Sequence, residues 1–443
     1  MYQGISLTQA PPFGVVISFF LNAFGFLCLA GIMCGILAFT DNVSALPAFV
    51  HIFTIGIFLS VMFGALCQML PVLAGVRIKG VQIVSCVSIC TLDIGLCALI
   101  GAFLGFGAIY FIIAMIGLNL GIFGFILSVM CSLFGIKHFT PTIYYMLAAL
   151  GCLCAVSVLG AIMLGAYAGL WSVEDYISMR QMHFVLGGFG WIFLLIVGVC
   201  LQVLPMFYVA QNFSKSLYAF ILPLMLCVAV FALVLGQHSA LFASLSLVSL
   251  YFGINAIFRL KNRKRKIKDS SMPLWFLGFW LLIVLGAWLM VQAIIESSLL
   301  DSIMPKNFAL ISLFAYGNGV LFGGFCLCII SAMIFKIVPF LAWFHLIFKS
   351  IANVPNMRDF VPARYIKALS ILLIFTLFNL ACLAYKMWFI CWILAGIGLC
   401  GMGSLGFWLI LRCFISYKRI LKRSSPIEAG LNTLAAANAP YSR

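Results

Sequence analysis

The chain has 443 residues, of which 65% are hydrophobic and only 8% are charged. Soluble globular domains carry about 25% charged residues, so this composition excludes an ordinary soluble domain and indicates an integral membrane protein. The formal net charge of +16 raises the question of nucleic-acid binding. In a membrane protein, however, basic loops anchor the topology and contact anionic headgroups, so we expect the lipid bilayer as a partner and no nucleic acid.

Twelve apolar stretches, each near the length of a membrane-spanning helix, follow one another along the chain. Backbone inside a bilayer must satisfy its own hydrogen bonds, so these stretches predict helices. We predict spans at about 13–38, 47–75, 82–103, 107–135, 143–168, 182–209, 217–236, 239–258, 274–297, 308–336, 366–386 and 388–412. The predicted fold class is an all-α integral membrane protein, with one membrane domain over residues 1–423 and a disordered cytoplasmic tail over 424–443.

The basic residues test this count, because lysine and arginine collect in cytoplasmic loops. With both termini inside, the outer loops contain only Arg180, Lys306 and Lys386 of the 25 basic residues. Lys336 falls within a span, and the remaining basic residues lie on the cytoplasmic side. The pattern predicts twelve spans with cytoplasmic N- and C-termini, which fits a multi-pass protein of a bacterial inner membrane.

One motif occurs three times: a glycine-rich apolar helix that ends in a polar residue, two apolar residues and a proline. Its copies are Gly56…Gly64…Gln68-Met69-Leu70-Pro71, Gly190…Gly198…Gln202-Val203-Leu204-Pro205 and Gly324…Ala332…Lys336-Ile337-Val338-Pro339. The copies are 134 residues apart (190 − 56 = 134 and 324 − 190 = 134).

Each repeat therefore holds four spans, and the motif falls on spans 2, 6 and 10. We predict three pseudo-threefold-related four-helix units, at about 13–135, 143–258 and 274–412. The glycines allow a neighbouring backbone or a flat ligand to approach closely.

Two of the five histidines fall at similar places in the first two repeats. His51 precedes Gln68 by 17 residues and His183 precedes Gln202 by 19 (68 − 51 = 17; 202 − 183 = 19). Polar groups within a bilayer are costly, and a neutral imidazole is a ligand for heme iron or copper. The alternative is a structural histidine that caps a helix or bonds a carbonyl group. His238, at the outer start of span 8, is a further candidate metal ligand.

Other polar residues lie within the predicted spans. We expect Gln68 and Gln202 to hydrogen-bond across a helix interface. Lys336 either extends its side chain to the headgroups, pairs with Asp93 in span 3, or lines a polar pathway. Asp93 is a carboxylate well inside a span, and hence a candidate ion or proton site.

The twelve helices, the three four-helix units and the outer histidines on spans 2 and 6 together resemble subunit I of the heme-copper oxidases. The resemblance implies that His51, in Val50-His51-Ile52, is an axial ligand of a low-spin heme b. It also implies that His183, in Met182-His183-Phe184, is a copper ligand.

The departures from that family are equally specific. The family has a histidine pair on span 7 and two histidines on span 10, whereas residues 217–236 have none and span 10 has Tyr316-Gly317-Asn318. Tyr316 and Asn318 are the nearest candidates for a sixth heme ligand. The chain lacks the ligands of the oxygen-reducing centre, so we do not predict an oxygen reductase. It resembles a divergent, non-oxidase branch, similar in outline to the NnrS-type proteins linked to nitric oxide.

Two functional hypotheses follow. The first is a heme- or copper-binding membrane protein in electron transfer, gas response or respiratory-complex assembly, with a redox partner or respiratory subunits as partners. The second is a cofactor-free transporter or channel, with Asp93 and Lys336 in a polar pathway. An accessory scaffold that binds respiratory subunits is a third possibility.

Overall fold

The computed structural model describes residues 13–40, 43–134, 139–266, 269–297, 308–349, 351, 353–383 and 388–437. All regular secondary structure in these residues is helical. Twelve of the helices are long and apolar enough to cross a membrane, so the all-α fold and the number of spans are confirmed.

The twelve spans are Phe13–Thr40 (span 1), Leu46–Pro71 (span 2), Val81–Phe103 (span 3), Ala108–Leu133 (span 4), Pro141–Tyr167 (span 5), Tyr176–Tyr208 (span 6), Leu217–Val234 (span 7), His238–Lys261 (span 8), Met272–Ile295 (span 9), Ala315–Phe348 (span 10), Ala363–Cys382 (span 11) and Phe389–Arg423 (span 12). Most of the loops between them are short, which makes consecutive spans antiparallel. We call the end where span 1 begins the basic end, because the loop after span 8 contributes several lysines and arginines there. Spans 2 and 6 begin at the opposite end.

Two spans extend further than predicted. Span 6 begins at Tyr176 because Asp175 caps it, accepting a hydrogen bond from the backbone N–H of Ser178 at 3.0 Å. Span 10 belongs to a helix, Phe308–Phe348, that continues past Pro339. Lys336 therefore lies inside a helix rather than at its end.

The helix of span 12 also continues, to Ala437. Most of the segment for which we predicted a disordered tail is thus helical, and its many alanines favour helix formation. Residues 438–443 lie outside the described part of the chain.

Spans 2 and 6 are built alike, residue for residue. Each contains an eight-residue π-helix, Ile52–Leu59 in span 2 and Leu186–Phe193 in span 6. Each continues as a 15-residue α-helix with an internal proline, and each is followed by a residue with positive φ, Gly75 or Val209. The offset is again 134 residues (186 − 52 = 134 and 209 − 75 = 134).

The first motif glycine of each copy packs against a neighbouring span. A Cβ atom added at Gly56 would lie 2.6 Å from the ring of Phe26 in span 1. At Gly190 it would lie 2.9 Å from the sulfur of Cys152 in span 5, and at Gly324 2.9 Å from Leu377 in span 11. The sequence allowed a neighbouring helix or a flat ligand to approach these glycines, and the structure shows close helix packing.

The three motif spans meet in the interior. Span 10 is the most enclosed, with 89% of its apolar core segment buried, and spans 1, 2 and 6 follow at 61%. Phe63 of span 2 contacts Trp191 of span 6 at 6.3 Å, and Phe189 of span 6 contacts Phe322 of span 10 at 5.3 Å between ring centroids.

A small apolar cavity of about 40 Å³ lies where the motif spans converge. Spans 1 and 5 complete its wall, and its lining includes Phe20, Met62, Met146, Val199 and Met333. Spans 2, 6 and 10 therefore surround a common interior space.

Candidate functional site

His51 and His183 lie next to each other at the end of the bundle opposite the basic end. Their ring centroids are 6.2 Å apart, and the ring planes are inclined by 37°. Both side chains are half-buried. The two histidines selected from the repeats thus meet in space, one from span 2 and one from span 6.

The ring of His51 is held by its own helix. Nδ1 lies 2.7 Å from the carbonyl oxygen of Pro47. A carbonyl group can only accept, so Nδ1 carries the proton and donates it. In a neutral ring this leaves the lone pair on Nε2, the arrangement common in metal-binding histidines.

The ring of His183 is enclosed more tightly. Its Nδ1 is buried and has no hydrogen-bond partner among the described residues. A Cβ atom added at Gly160 of span 5 would lie 3.3 Å from Cε1 of the imidazole, so the missing side chain makes room for this ring. Because a buried polar atom is ordinarily bonded, the unpartnered nitrogen suggests a ligand-binding role.

An aromatic wall covers the side of the pair towards span 3. Phe103 stacks on His51 at 6.4 Å between ring centroids, inclined by 24°. Phe111 and Tyr167 pack around Phe103, and the hydroxyl of Tyr176 donates a hydrogen bond to the hydroxyl of Tyr167 at 2.8 Å. These rings shield His51 from water on that side.

His238 is not brought to this pair. It begins span 8, and within the described ranges its ring contacts neither of the two imidazoles. No group of three or more His, Cys, Asp or Glu side chains in the described part of the chain is arranged to hold a metal ion. The described residues therefore bring two imidazoles, those of His51 and His183, together at this place.

Lys336 forms an ion pair, but not with Asp93, the partner considered from the sequence. Its ammonium group donates a hydrogen bond to Oδ2 of Asp269, in the loop before span 9. The ammonium group also lies 5.3 Å from the ring centroid of Tyr208, whose hydroxyl is 3.1 Å from Oγ of Ser271. This cluster closes the basic end of the interior.

The carboxylate of Asp269 is stabilised in its charged form. Burial raises its pKa, but the hydrogen bond and charge of Lys336 and two hydrogen bonds from Ser271 outweigh burial. The net result is a pKa below the ordinary value for aspartate.

The oxygen of the first motif glutamine does not make the expected hydrogen bond across a helix interface to any described residue. Gln68 is buried, yet its Oε1 has no hydrogen-bond partner among the described residues. Gln202 lies at the corresponding position of span 6 and is half-buried.

Asp93 lies near the middle of span 3 and bonds to span 1. The side-chain amide of Asn22 donates to Oδ1 of Asp93 at 2.9 Å, and the same amide nitrogen lies 3.4 Å from Oγ of Ser60 in span 2. Asp93 and Lys336 thus have separate partners.

Both candidate sixth ligands on span 10 are engaged elsewhere. Tyr316 donates to the carbonyl oxygen of Leu380 in span 11. Asn318 and Gln292 of span 9 exchange two side-chain hydrogen bonds, of 2.8 and 3.1 Å. These contacts connect helices and leave His183 as the available partner for His51.

The sequence analysis missed Asn22, Phe103, Asp269 and Gln292. An asparagine and a glutamine within apolar spans carry the same signal as Asp93, because each must find a hydrogen-bond partner in the bilayer. Phe103 and Asp269 have no such signal, since one is among many phenylalanines and the other lies in a polar loop.

No protein-family model matches this chain, and no curated protein matches it.

Proposed function

We propose that this protein binds heme b between His51 and His183 and carries out electron transfer in a membrane, with copper as the alternative metal. One observation carries the proposal: two imidazoles from different spans lie 6.2 Å apart, measured between ring centroids, inside a bundle of apolar helices. Two imidazoles this close in apolar surroundings are costly unless they share a ligand or a hydrogen bond.

The spacing of the rings suits one shared metal. Metal–nitrogen distances to histidine are about 2.0–2.1 Å, so two imidazoles on opposite sides of one ion have ring centres about 6 Å apart. The proton on Nδ1 of His51 leaves Nε2 as the ligand atom. On His183, Nδ1 makes no hydrogen bond of ordinary geometry among the described residues but faces the backbone of Val156, so either ring nitrogen is a candidate ligand atom.

The number of protein ligands favours heme over a bare ion. A porphyrin supplies four ligands to its iron, so two imidazoles complete the coordination. A copper ion would depend on two imidazoles alone, since no third ligand group is found among the described residues.

Coordination by both imidazoles also favours electron transfer over gas binding. His51 and His183 would hold the heme with two imidazoles, and a heme held by two protein ligands would leave no position for a gaseous ligand. Heme in this state supplies one-electron transfer, while His51 and His183 fix its position and Phe103 keeps water from His51.

The three-unit architecture and the likeness to oxidase subunit I belong to the same proposal. The matching construction of spans 2 and 6, and the shared cavity of spans 2, 6 and 10, support both. We place the basic end in the cytoplasm of a bacterial cell, which puts the imidazoles near the outer side of the inner membrane. A redox partner on that side, or other respiratory subunits, would exchange electrons with the heme.

The transporter hypothesis gains less support. It needs Asp93 and Lys336 in one polar pathway, whereas Asp93 bonds to Asn22 and Lys336 to Asp269. Because Asp93 and Lys336 each have a partner of their own, separate roles are favoured over one shared pathway.

The test is an absorption spectrum with metal analysis on protein expressed with an adequate supply of heme and copper. We expect about one heme per chain, a low-spin spectrum and no reaction with carbon monoxide. His51→Ala and His183→Ala should each open a coordination position, giving a high-spin spectrum that changes on adding carbon monoxide, or should lose the heme.

His238→Ala is the matched control, because this histidine lies at the same end of the bundle but apart from the pair. Its spectrum should equal that of the wild type. Wild-type protein with neither heme nor copper would refute the proposal, as would wild-type spectra in both pair variants.

A further inference from the structure

A second site lies at mid-membrane depth, where spans 1, 2 and 3 each contribute one polar side chain. Asn22, Ser60 and Asp93 are each several turns from the ends of their spans. At 1.5 Å per residue, Asp93 is about 15 Å from either end of its helix, which is near the middle of a bilayer core.

We propose that Asp93 is a reversible proton-binding site, held as a neutral carboxylic acid at rest and positioned by Asn22. This site goes beyond the proposed function and does not depend on it. The inference rests on the hydrogen-bond donors around the carboxyl group and on its surroundings.

The hydrogen-bond pattern suits a carboxyl group with one protonated oxygen. Oδ1 of Asp93 accepts the amide hydrogen of Asn22 at 2.9 Å. Oδ2 remains for the acidic proton. An ionised carboxylate would need several donors or a cation at this depth, because charge in hydrocarbon is costly.

No such cation accompanies it. In the described part of the chain, no basic side chain forms an ion pair with Asp93. The titratable groups near it are the thiols of Cys90 and Cys97, on its own helix. The groups that spans 1 and 2 bring to it, Asn22 and Ser60, do not titrate.

A bound sodium ion fits this site less well than a proton. Hard cations take about six oxygen ligands. Here Asn22 turns a donor N–H, rather than its oxygen, towards both Asp93 and Ser60. The proton is therefore the ligand that the observed donors suit.

Asp93 is also reachable from the lipid. Cys90, Ile94 and Cys97, which flank it on span 3, are exposed on the surface of the bundle, and Asp93 itself is half-buried. An apolar reagent dissolved in the bilayer can therefore approach the carboxyl group.

The test uses dicyclohexylcarbodiimide on the full-length protein in liposomes. The reagent takes the carboxyl proton on one nitrogen while the carboxyl oxygen adds to its central carbon, so only a protonated acid in apolar surroundings reacts. We expect mass spectrometry to find the adduct on Asp93 at neutral pH and to find it lost as the pH is raised. Asp175, an exposed acid outside the spans, is the matched control and should stay unmodified.

Three variants separate a proton site from mere reactivity. Asp93→Asn should abolish labelling, and Asp93→Glu should retain it. Asn22→Ala removes a donor that stabilises the ionised form, so the pH at which labelling falls by half should move upwards. An unlabelled Asp93 in wild-type protein at neutral pH would overturn the proposal, and so would a half-labelling pH unchanged by Asn22→Ala. Heme content plays no part in this readout, so its outcome is independent of the proposed function.

Discussion

The ion pair between Lys336 and Asp269 gives the most direct energetic prediction. Lys336 is 28% exposed and Asp269 is 17% exposed, so the pair is intermediate between a surface and a buried salt bridge. Exposed pairs contribute about 0.2–1 kcal/mol, whereas removing one partner of a buried pair costs about 3–5 kcal/mol. We expect Lys336→Met to lower the free energy of unfolding by about 2 kcal/mol.

The two partners should not be equivalent. After Lys336→Met, the carboxylate of Asp269 keeps both hydrogen bonds from Ser271. Asp269→Ala removes those bonds as well and leaves the ammonium group beside the ring of Tyr208. We therefore expect Asp269→Ala to cost about 1 kcal/mol more than Lys336→Met.

Unfolding by sodium dodecyl sulfate in mixed micelles measures both values. Lys349→Met is the matched control, because Lys349 is exposed near the end of the same helix, and its effect should stay within about 0.5 kcal/mol. The double variant Lys336→Met/Asp269→Ala should cost less than the two single changes together. Additive costs, or a Lys336→Met variant as stable as the control, would refute the reasoning.

The same pair predicts how stability depends on pH. The folded-state pKa of Asp269 is below its unfolded value, so its contribution is fully present above the ordinary range near 3.9. That contribution is lost as the pH falls through the depressed folded-state pKa. The Asp269→Asn variant should lack this part of the acid dependence.

Three further changes test other contacts. Gly31→Ala should lower the free energy of unfolding by at least about 1 kcal/mol, because the added Cβ would lie 2.6 Å from a backbone oxygen of span 12. Gly35 has open space around it, so Gly35→Ala should cost less than about 0.5 kcal/mol. Equal unfolding curves for the two variants would contradict this. Asn318→Leu should cost about 1–2 kcal/mol by leaving the buried Gln292 unpaired, and Gln292→Leu/Asn318→Leu should recover part of it in a double-mutant cycle. Hydrogen bonds from the first turn of span 6 hold the pKa of Asp175 below its usual range, so the protection of the amides in that turn, measured as the intrinsic exchange rate at each pH divided by the observed rate, should fall at acid pH in the wild type but not in Asp175→Ala.

The spans were predictable because their signal is local. An apolar run of sufficient length has to be helical in a bilayer, whatever surrounds it. The ends were harder to predict where polar residues are helical, as at Tyr176, or where a helix continues past a proline, as at Pro339. Those outcomes depend on a capping carboxylate and on tertiary packing, which hydropathy does not report.

The pairing of polar groups was only partly predictable. The cost of burying Lys336 and Asp93 indicates that each needs a partner, but the sequence does not say which one. Asp269 lies 67 residues from Lys336 and Asn22 lies 71 residues from Asp93, so only the packing of the spans brings them together. The repeat identified His51 and His183 as a pair, yet the distance between the rings could not be derived from it.

The two histidines are also not strictly equivalent. The repeat offset places His51 opposite Val185 (51 + 134 = 185), two residues after His183. Two residues turn a helix by about 200°, so identical helices would point these rings in different directions. Their approach therefore depends on how each span is packed and locally wound.

The π-helices supply that local winding. They begin directly after His51 and three residues after His183, and π-helical segments in α-helices are frequent at functional sites. In the third repeat, the corresponding residues 320–327 are ordinary α-helix, and the positions of the two histidines are taken by Gly317 and Gly319. At the motif position, the π-helix thus occurs in the two repeats that carry an imidazole, whereas the described residues 320–327 of the third repeat lack it; a further π-helix, Leu217–Ile221, begins span 7. Since all three copies keep a close-packed glycine, packing alone does not require the π-helix, and the ligand-binding role that we propose for His51 and His183 gives it a reason in the first two copies.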